Sequence, residues 1–421
     1  MTAPIYPVGW PAESKVCGIA ESPSDYAWNV NLHNGNVNRN NQTNQNHVRA
    51  VRAGECQQAI TFRALHAAWR AARAGKKPSM DQLAFDNDWI ENLIDLQERL
   101  LSLAWHPGRP TCFIATAPKA REIHAPAFAD RVVHHLVVPH LERIYEPVFI
   151  HDSYSNRRGK GTHAAVDRLQ AFVRQVHSGQ GGGFYLQLDI RNFFNSIHRP
   201  TLYRLLKIRM ERHGLPAELR RAVHSLLTYP IERTGVIYAC STDERAAVPP
   251  HKRLQNAAPG CGIAIGNLSS QFFANVYLDR LDQFVKHELK AERYLRYVDD
   301  FVLVHRNAGQ LATWRDAIEV FLEGNLKLEL KREQKLLPLE RGIDFLGYVV
   351  FPTHRVVRRR VIGHARAKLA EWERRGDRSR RAVELLRSIV ASYLGHFAHA
   401  SSRIVVLSLS RRFPWLHDLL K

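Results

Sequence analysis

Asp299 and Asp300 are adjacent acids inside an otherwise apolar, β-branched and aromatic run, with Tyr294-Leu295-Arg296-Tyr297-Val298 before them and Phe301-Val302-Leu303-Val304 after. Carboxylate pairs held on rigid strands bind hard cations such as Mg²⁺. In two-metal phosphoryl transfer one ion activates the attacking oxygen and the other stabilises the leaving one, about 3.5–4 Å away. A lone Asp-Asp pair is more often the polar tip of a hairpin, so this chemistry needs a third acid. Asp189 is a candidate, since it closes the apolar run Phe184-Tyr185-Leu186-Gln187-Leu188. If it faced the other two, the three carboxylates would form one metal site, with the backbone carbonyl of Ile190 as a further ligand. Taken singly, Asp189 reads as an ordinary strand-end or helix-cap aspartate.

Holding these acids requires strands that meet at a tight turn. The run around Asp299 and Asp300 predicts strand, turn, strand. A strand is expected over 184–190 and a helix over 268–287 just ahead of the hairpin. Helical spacing also predicts helices from about 56 to 75, 86 to 103, 128 to 145 and 311 to 325, one opening near Thr162 and another after Pro200. Short strands around a turn are expected over 112–127, and further strands over 326–331 and 343–351. Residues 231–258 read as strand and loop without a fixed course, and 361–419 as basic helices with short breaks. Mixed helices and strands around an antiparallel hairpin predict an α+β fold rather than a doubly wound one.

The 421 residues carry a formal net charge of +20, with Arg far in excess of Lys and an isoelectric point near 10.0. A polyanionic partner suits that excess, and Arg adds bidentate phosphate contacts and base stacking. The five cysteines, Cys17, Cys56, Cys112, Cys240 and Cys261, form no C-x-x-C pair and no disulfide framework. No signal peptide and no run of about 18 apolar residues is evident, so a cytoplasmic setting without a membrane span is expected. Between Asn29 and Asn46, nine of eighteen positions are Asn. That composition marks residues 1–56 as a low-complexity arm.

The motifs in their order resemble a reverse transcriptase over roughly residues 112–421. Leu188-Asp189-Ile190 with Phe193-Phe194 resembles motif A, and Tyr297-Val298-Asp299-Asp300 resembles motif C. Ala117-Pro118-Lys119-Ala120-Arg121 resembles the fingers motif whose basic residues face the incoming nucleotide. Asp152 to Thr162, with Arg157, Arg158 and Lys160, resembles the motif that follows it, Leu326-Lys327-Leu328 with Lys335 resembles motif D, and Phe345-Leu346-Gly347 resembles the primer grip. The resemblance implies a right-hand polymerase, with a helical region at 57–111, fingers and palm at 112–355 and a helical thumb at 356–421. It implies catalysis by Asp189, Asp299 and Asp300 with two Mg²⁺ ions, for which Mn²⁺ could substitute. Nucleotide contacts fall to Lys119, Arg121, Phe194, Ile265, Gly266, Gln271 and Lys335. Template and primer contacts fall to Arg157, Arg158, Lys160, Phe345, Leu346 and Gly347. Phe194 stands where such enzymes place a steric gate against a ribose 2′ hydroxyl; one of Phe193 and Phe194 is expected to be core.

Motif B narrows the resemblance. Here it reads Ile265-Gly266-Asn267-Leu268-Ser269-Ser270-Gln271, where most reverse transcriptases carry Gln-Gly and then Ser-Pro. The Ile-Gly and Ser-Gln form is similar to the enzymes of diversity-generating retroelements, which copy a template RNA with frequent errors at adenines. That likeness implies a template RNA, primer and cDNA, deoxynucleotides and a small basic accessory protein oligomer as partners. It leaves two readings of the Asn-rich arm: translated template repeat, or an ordinary polar extension. A phage-defence enzyme of the abortive-infection or retron type is the alternative role. A catalytically silent RNA-binding protein on the same scaffold is a third, which the presence of all three acids disfavours.

Overall fold

The computed structural model describes residues 59–75, 77–116, 119–178, 182–229 and 235–416, together with the backbone of 26–30 and 37–41. The latter two segments, β1 (Tyr26–Val30) and β2 (Val37–Asn41), pair antiparallel within the Asn-rich arm. The rest of that arm, and so both readings of its role, lies outside the described residues, as do Ala117 and Pro118.

Three helices open the described chain. In α1 (Phe62–Arg73) the Thr61 hydroxyl accepts the Ala64 amide at 3.1 Å, satisfying a donor that the first turn leaves free. α2 (Met80–Asn87) and α3 (Trp89–Leu101) are separate because Asp88, at φ −123° and ψ 44°, leaves the helical region between them. The Trp69 and Trp89 rings stack at 4.8 Å, tying α1 to α3. β3 (Thr111–Ala115) and β4 (Arg121–Ala125) form the expected hairpin, and α4 (Phe128–Tyr145) follows over the expected span. α5 (Thr162–His177) begins at the predicted residue.

β5 (Phe184–Asp189) leads into the single turn α6 (Phe193–Ser196), then α7 (Arg199–Arg212) and α8 (Ala217–Thr228). The segment without a fixed course contains β6 (Ile237–Tyr238), which runs parallel to β3, and α9 (Thr242–Ala246). Next come α10 (Leu268–Gln283), β7 (Tyr294–Tyr297), β8 (Asp300–His305) and α11 (Ala308–Phe321). The strand expected over 326–331 is not there. The helical path continues in a wider turn through Leu326, Lys327 turns left-handed at φ 53°, and only Leu330 bridges to Ile190. The strand lies a few residues on, as β9 (Lys335–Pro338). The single strand expected over 343–351 is two, β10 (Ile343–Phe345) and β11 (Tyr348–Val350), followed by β12 (Arg355–Val357). Leu346 and Gly347 between them take φ of 48° and 89°, the pair of positive values that a tight hairpin turn requires. The helices α12 (Arg359–Arg375), α13 (Arg380–Ala398) and α14 (Arg403–Arg412) end the chain as expected.

The central sheet has the order β7-β8-β5-β9, and every neighbouring pair in it is antiparallel. Alternation along its strands feeds two cores. Leu186, Leu188, Phe301 and Leu303 face the core shared with α1, α3, α4, α7 and α10. Tyr185, Val302 and Val304 face the other, shared with α5, β10 to β12 and the last three helices. The sheet is thus covered on both faces, and the three acids lie at its strand ends. Among the described residues no helix is long and apolar enough to cross a membrane.

Candidate active site

Register brings the three acids together. Asp189, the last residue of β5, is the direct cross-strand partner of Asp300, the first residue of β8. Tyr297 pairs with Asp300 on the other side, leaving Val298 and Asp299 as the two-residue turn. Val298 has φ +55°, an outlier for a β-branched residue that costs about 1–3 kcal/mol.

Electrostatics show a cluster short of positive charge. Burial, and then the charge of Asp189, push the Asp299 carboxyl up to about 6. Burial, then Asp189 and Asp299, push Asp300 to about 7, against a lowering hydrogen bond from Gln187. Gln187 Nε2 donates to Asp300 Oδ1 at 3.2 Å. The Lys331 ammonium pairs with Asp189 Oδ2, whereas Asp189 Oδ1 is buried with no partner. Lys331 and Arg121 pull Asp299 partly down, and Lys335 does the same for Asp300. An orphaned carboxylate oxygen beside two acids that resist ionisation suits a divalent cation. As the side chains stand, no three His, Cys, Asp or Glu among the described residues converge as a ready metal cage. Lys331 and Gln187 hold oxygens that an ion would take over. Sequence reasoning missed both residues. Gln187, a polar residue two positions before Asp189 in an apolar strand, was the visible signal; Lys331 had none.

Of the expected nucleotide residues, Arg121 and Lys335 act on the charge of Asp299 and Asp300. Lys119 and Arg121 are exposed, Arg121 at the start of β4 and Lys119 just before it. Lys335 opens β9 opposite Gln187. Phe193 is the core member of its pair, with Phe194 half-buried, and their rings meet edge-on at 5.4 Å. They sit on the helical turn α6 rather than on a strand. Ile263 donates its amide to the Phe194 carbonyl at 2.9 Å, which joins the motif A and motif B segments. The Ile265 carbonyl accepts the His124 amide of β4 at 2.8 Å. Gly266, at φ +119°, has no room for a side chain: a Cβ would lie 2.8 Å from Ile123 Cγ2. Gln271 is exposed on the first turn of α10.

The expected template and primer residues divide. The Arg157 side chain is largely covered, its guanidinium bound to Glu146 and to the carbonyls of Ile150 and Ser153 at 2.7 and 3.0 Å. Arg158 is exposed at 90%, with Glu142 at 3.8 Å. Lys160 donates to the His151 carbonyl at 2.9 Å and lies over the Tyr154 ring. Phe345 is fully buried, and Leu346 and Gly347 form the β10–β11 turn against His396.

Residues 115–350, more than half of the chain, match the family described as Reverse transcriptase (RNA-dependent DNA polymerase). The chain is 23% identical over 300 residues to protein YkfC of Escherichia coli (strain K12), covering 63% of this chain and 71% of that one. It is 22% identical over 293 residues to the group II intron-encoded protein LtrA of Lactococcus lactis subsp. cremoris, covering 55% of this chain and 44% of that one. Among solved structures, telomerase from Candida albicans in complex with a fragment of telomeric RNA aligns with a TM-score of 0.39 at 11% identity, over 79% of this chain and 64% of that one. Apo telomerase from Candida tropicalis aligns with a TM-score of 0.45 at 11% identity, over 64% and 60%. The chain therefore spans less than half of LtrA and less than two thirds of either telomerase.

Proposed function

Given that this chain belongs to the reverse transcriptase family, we propose that it extends a primer with deoxynucleotides on an RNA template, using Asp189, Asp299 and Asp300 as its catalytic acids. The observation that carries the reading is the cross-strand pairing of Asp189 with Asp300, one residue after Asp299, at an edge that also gathers Arg121 and Lys335. Mg²⁺ or Mn²⁺ bound there by the three carboxylates and the Ile190 carbonyl would supply activation of the 3′ hydroxyl and neutralisation of the leaving pyrophosphate. The chain's own residues do the rest. Arg121, Lys119 and Lys335 offset triphosphate charge. Lys331 holds an Asp189 oxygen that a bound ion would take over. Phe194, the half-buried ring of the pair, would clash with a ribose 2′ hydroxyl. Fingers and palm are assigned to 112–355, the thumb to 356–421, and Arg158, Lys160 and the Leu346–Gly347 turn to the template and primer strands. Purified protein, an RNA template with an annealed DNA primer, four deoxynucleotides and Mg²⁺ or Mn²⁺ test this. Templated extension is expected, and its absence with both metals would refute the reading.

The finer reading is an error-prone enzyme that serves a diversity-generating retroelement, with its template RNA and a small basic accessory oligomer as partners. Motif B supports it. The backbone at Ile265 is pinned to β4 by the His124 amide and by the close approach of Gly266, so what differs from a Gln-Gly enzyme is chiefly the side chain. An isoleucine offers no hydrogen bond beside the nascent pair, and fewer directed bonds mean weaker discrimination. Ile265→Gln should lower misincorporation opposite template adenine by about tenfold or more, measured by sequencing cDNA. An unchanged error spectrum would remove the support.

A further inference from the structure

The turn that carries Asp299 is one that its own sequence disfavours. Val298 is β-branched and sits left-handed at φ +55°. A residue in that state persists only where its surroundings over-determine it. Beyond the Tyr297–Asp300 ladder and the packing of Val298 on the core, one side chain bonds the turn directly. Arg296 Nη1 donates to the Val298 carbonyl at 2.9 Å. Arg296 is fully buried, as is Asp282 on α10, and the two are joined by a fork: Nε to Oδ1 at 2.8 Å and Nη2 to Oδ2 at 2.6 Å. Nη1 also reaches Asn275 Oδ1, and Nη2 reaches Ser153 Oγ, both at 3.2 Å. The Tyr294 hydroxyl donates to Asp282 Oδ1 at 2.6 Å. The arginine backbone is fixed too, its amide on the Asp152 carbonyl at 2.9 Å and its carbonyl under the Tyr154 amide at 3.0 Å.

We infer that Arg296, clamped by Asp282, is a positioning residue whose hydrogen bond to the Val298 carbonyl holds the acid turn in its left-handed form and so presents Asp299 and Asp300 for catalysis. A buried ion pair adds little net stability over an apolar pair of similar volume. Apolar residues could therefore replace the ion pair itself, though Tyr294, Asn275 and Ser153 would lose partners. What they would not supply is a donor to Val298. Lysine would keep the charge but not the planar five-donor fork that spans Asp282, Asn275, Ser153 and Val298 together. The activity arm of this inference rests on the polymerase reading; the conformational arm does not.

The test compares the wild type, Arg296→Lys and the double variant Arg296→Met with Asp282→Leu, each with and without Val298→Gly. Thermal midpoint, hydrogen exchange across residues 294–303, and kcat and KM for deoxynucleotide on an RNA template are read. The double variant should melt lower, because Tyr294, Asn275 and Ser153 lose buried partners, and while still folded it should exchange faster at the turn. Its kcat should fall about 100-fold, the scale of a misplacement of about 1 Å, with KM nearly unchanged. Val298→Gly, which removes the left-handed penalty, should recover at least about tenfold of that loss. If the double variant does not fold, Arg296→Lys carries the same comparison. Wild-type exchange at the turn in a folded Arg296 variant, or no recovery with Val298→Gly, would overturn the inference. If the wild type does not polymerise at all, the exchange comparison still decides the role of Arg296, so the two failures stay distinct.

Discussion

Three carboxylates at one strand edge repel one another, and that repulsion is a measurable property of the residues. Asp300 is pushed from 3.8 to about 7, mainly by burial. A carboxyl raised in this way stabilises the folded state fully below its unfolded value, and the contribution is lost as pH rises through its folded value. In chelator, Asp300→Asn should therefore gain thermal midpoint relative to wild type as pH rises from about 4 to about 8. A pH-independent difference would contradict the environment described for Asp300. Divalent ions compete with protons for the same oxygens, so apparent Mg²⁺ affinity, read as metal-induced stabilisation, should rise from about pH 5.5 to about 7.5 and then level. At this scale the acids were legible, because carboxylates inside apolar strands are rare. Their partners were not. Lys331 reaches Asp189 from a segment far along the chain, and Arg157 looked like a free cation until its contacts with Glu146, Ile150 and Ser153 were visible.

At the scale of elements, tight turns set the geometry. The β7–β8 turn aims the acids, the β10–β11 turn places Leu346 and Gly347, and the loop before α10 locks onto β4 at Gly266. Gly266→Ala should be costly, since it puts a Cβ 2.8 Å from Ile123 at φ +119°. A loss of about 1–3 kcal/mol is expected, visible as a lower denaturation midpoint, with loosened nucleotide selection. Wild-type stability would mean that the loop does not dock on β4. The hairpins over 111–125 and 294–305 could be read from alternation and turn residues. The strand expected at 326–331 could not be placed: Leu326, Leu328 and Leu330 alternate, but the helical path from α11 runs through Leu326 and Lys327 turns left-handed. Only the neighbouring β5 decides that 335–338 is the paired segment.

The described residues form an α+β right-hand polymerase fold of the reverse transcriptase family, and the charge of the chain suits a polyanionic partner. Arg359, Arg366, Arg374, Arg380, Arg403 and Arg411 stand exposed on the last three helices, within a chain of net charge +20. Phosphate contacts release counterions, so RNA–primer affinity should fall about a thousandfold or more between about 50 and about 200 mM salt. Salt-independent binding would exclude this surface as the nucleic-acid path. Fold class was legible because the motif order is that of one architecture. How the last helices meet the sheet was not, since it depends on packing among Phe345, Tyr348 and Phe397 that no local pattern encodes. The most direct measurement is single-nucleotide incorporation on an RNA template by wild type and by Asp299→Ala with Asp300→Ala, both confirmed folded. Wild type should incorporate the nucleotide and the variant should lose at least about 1000-fold, the scale of losing metal-borne transition-state stabilisation. Equal incorporation by both would contradict the catalytic role of the two acids.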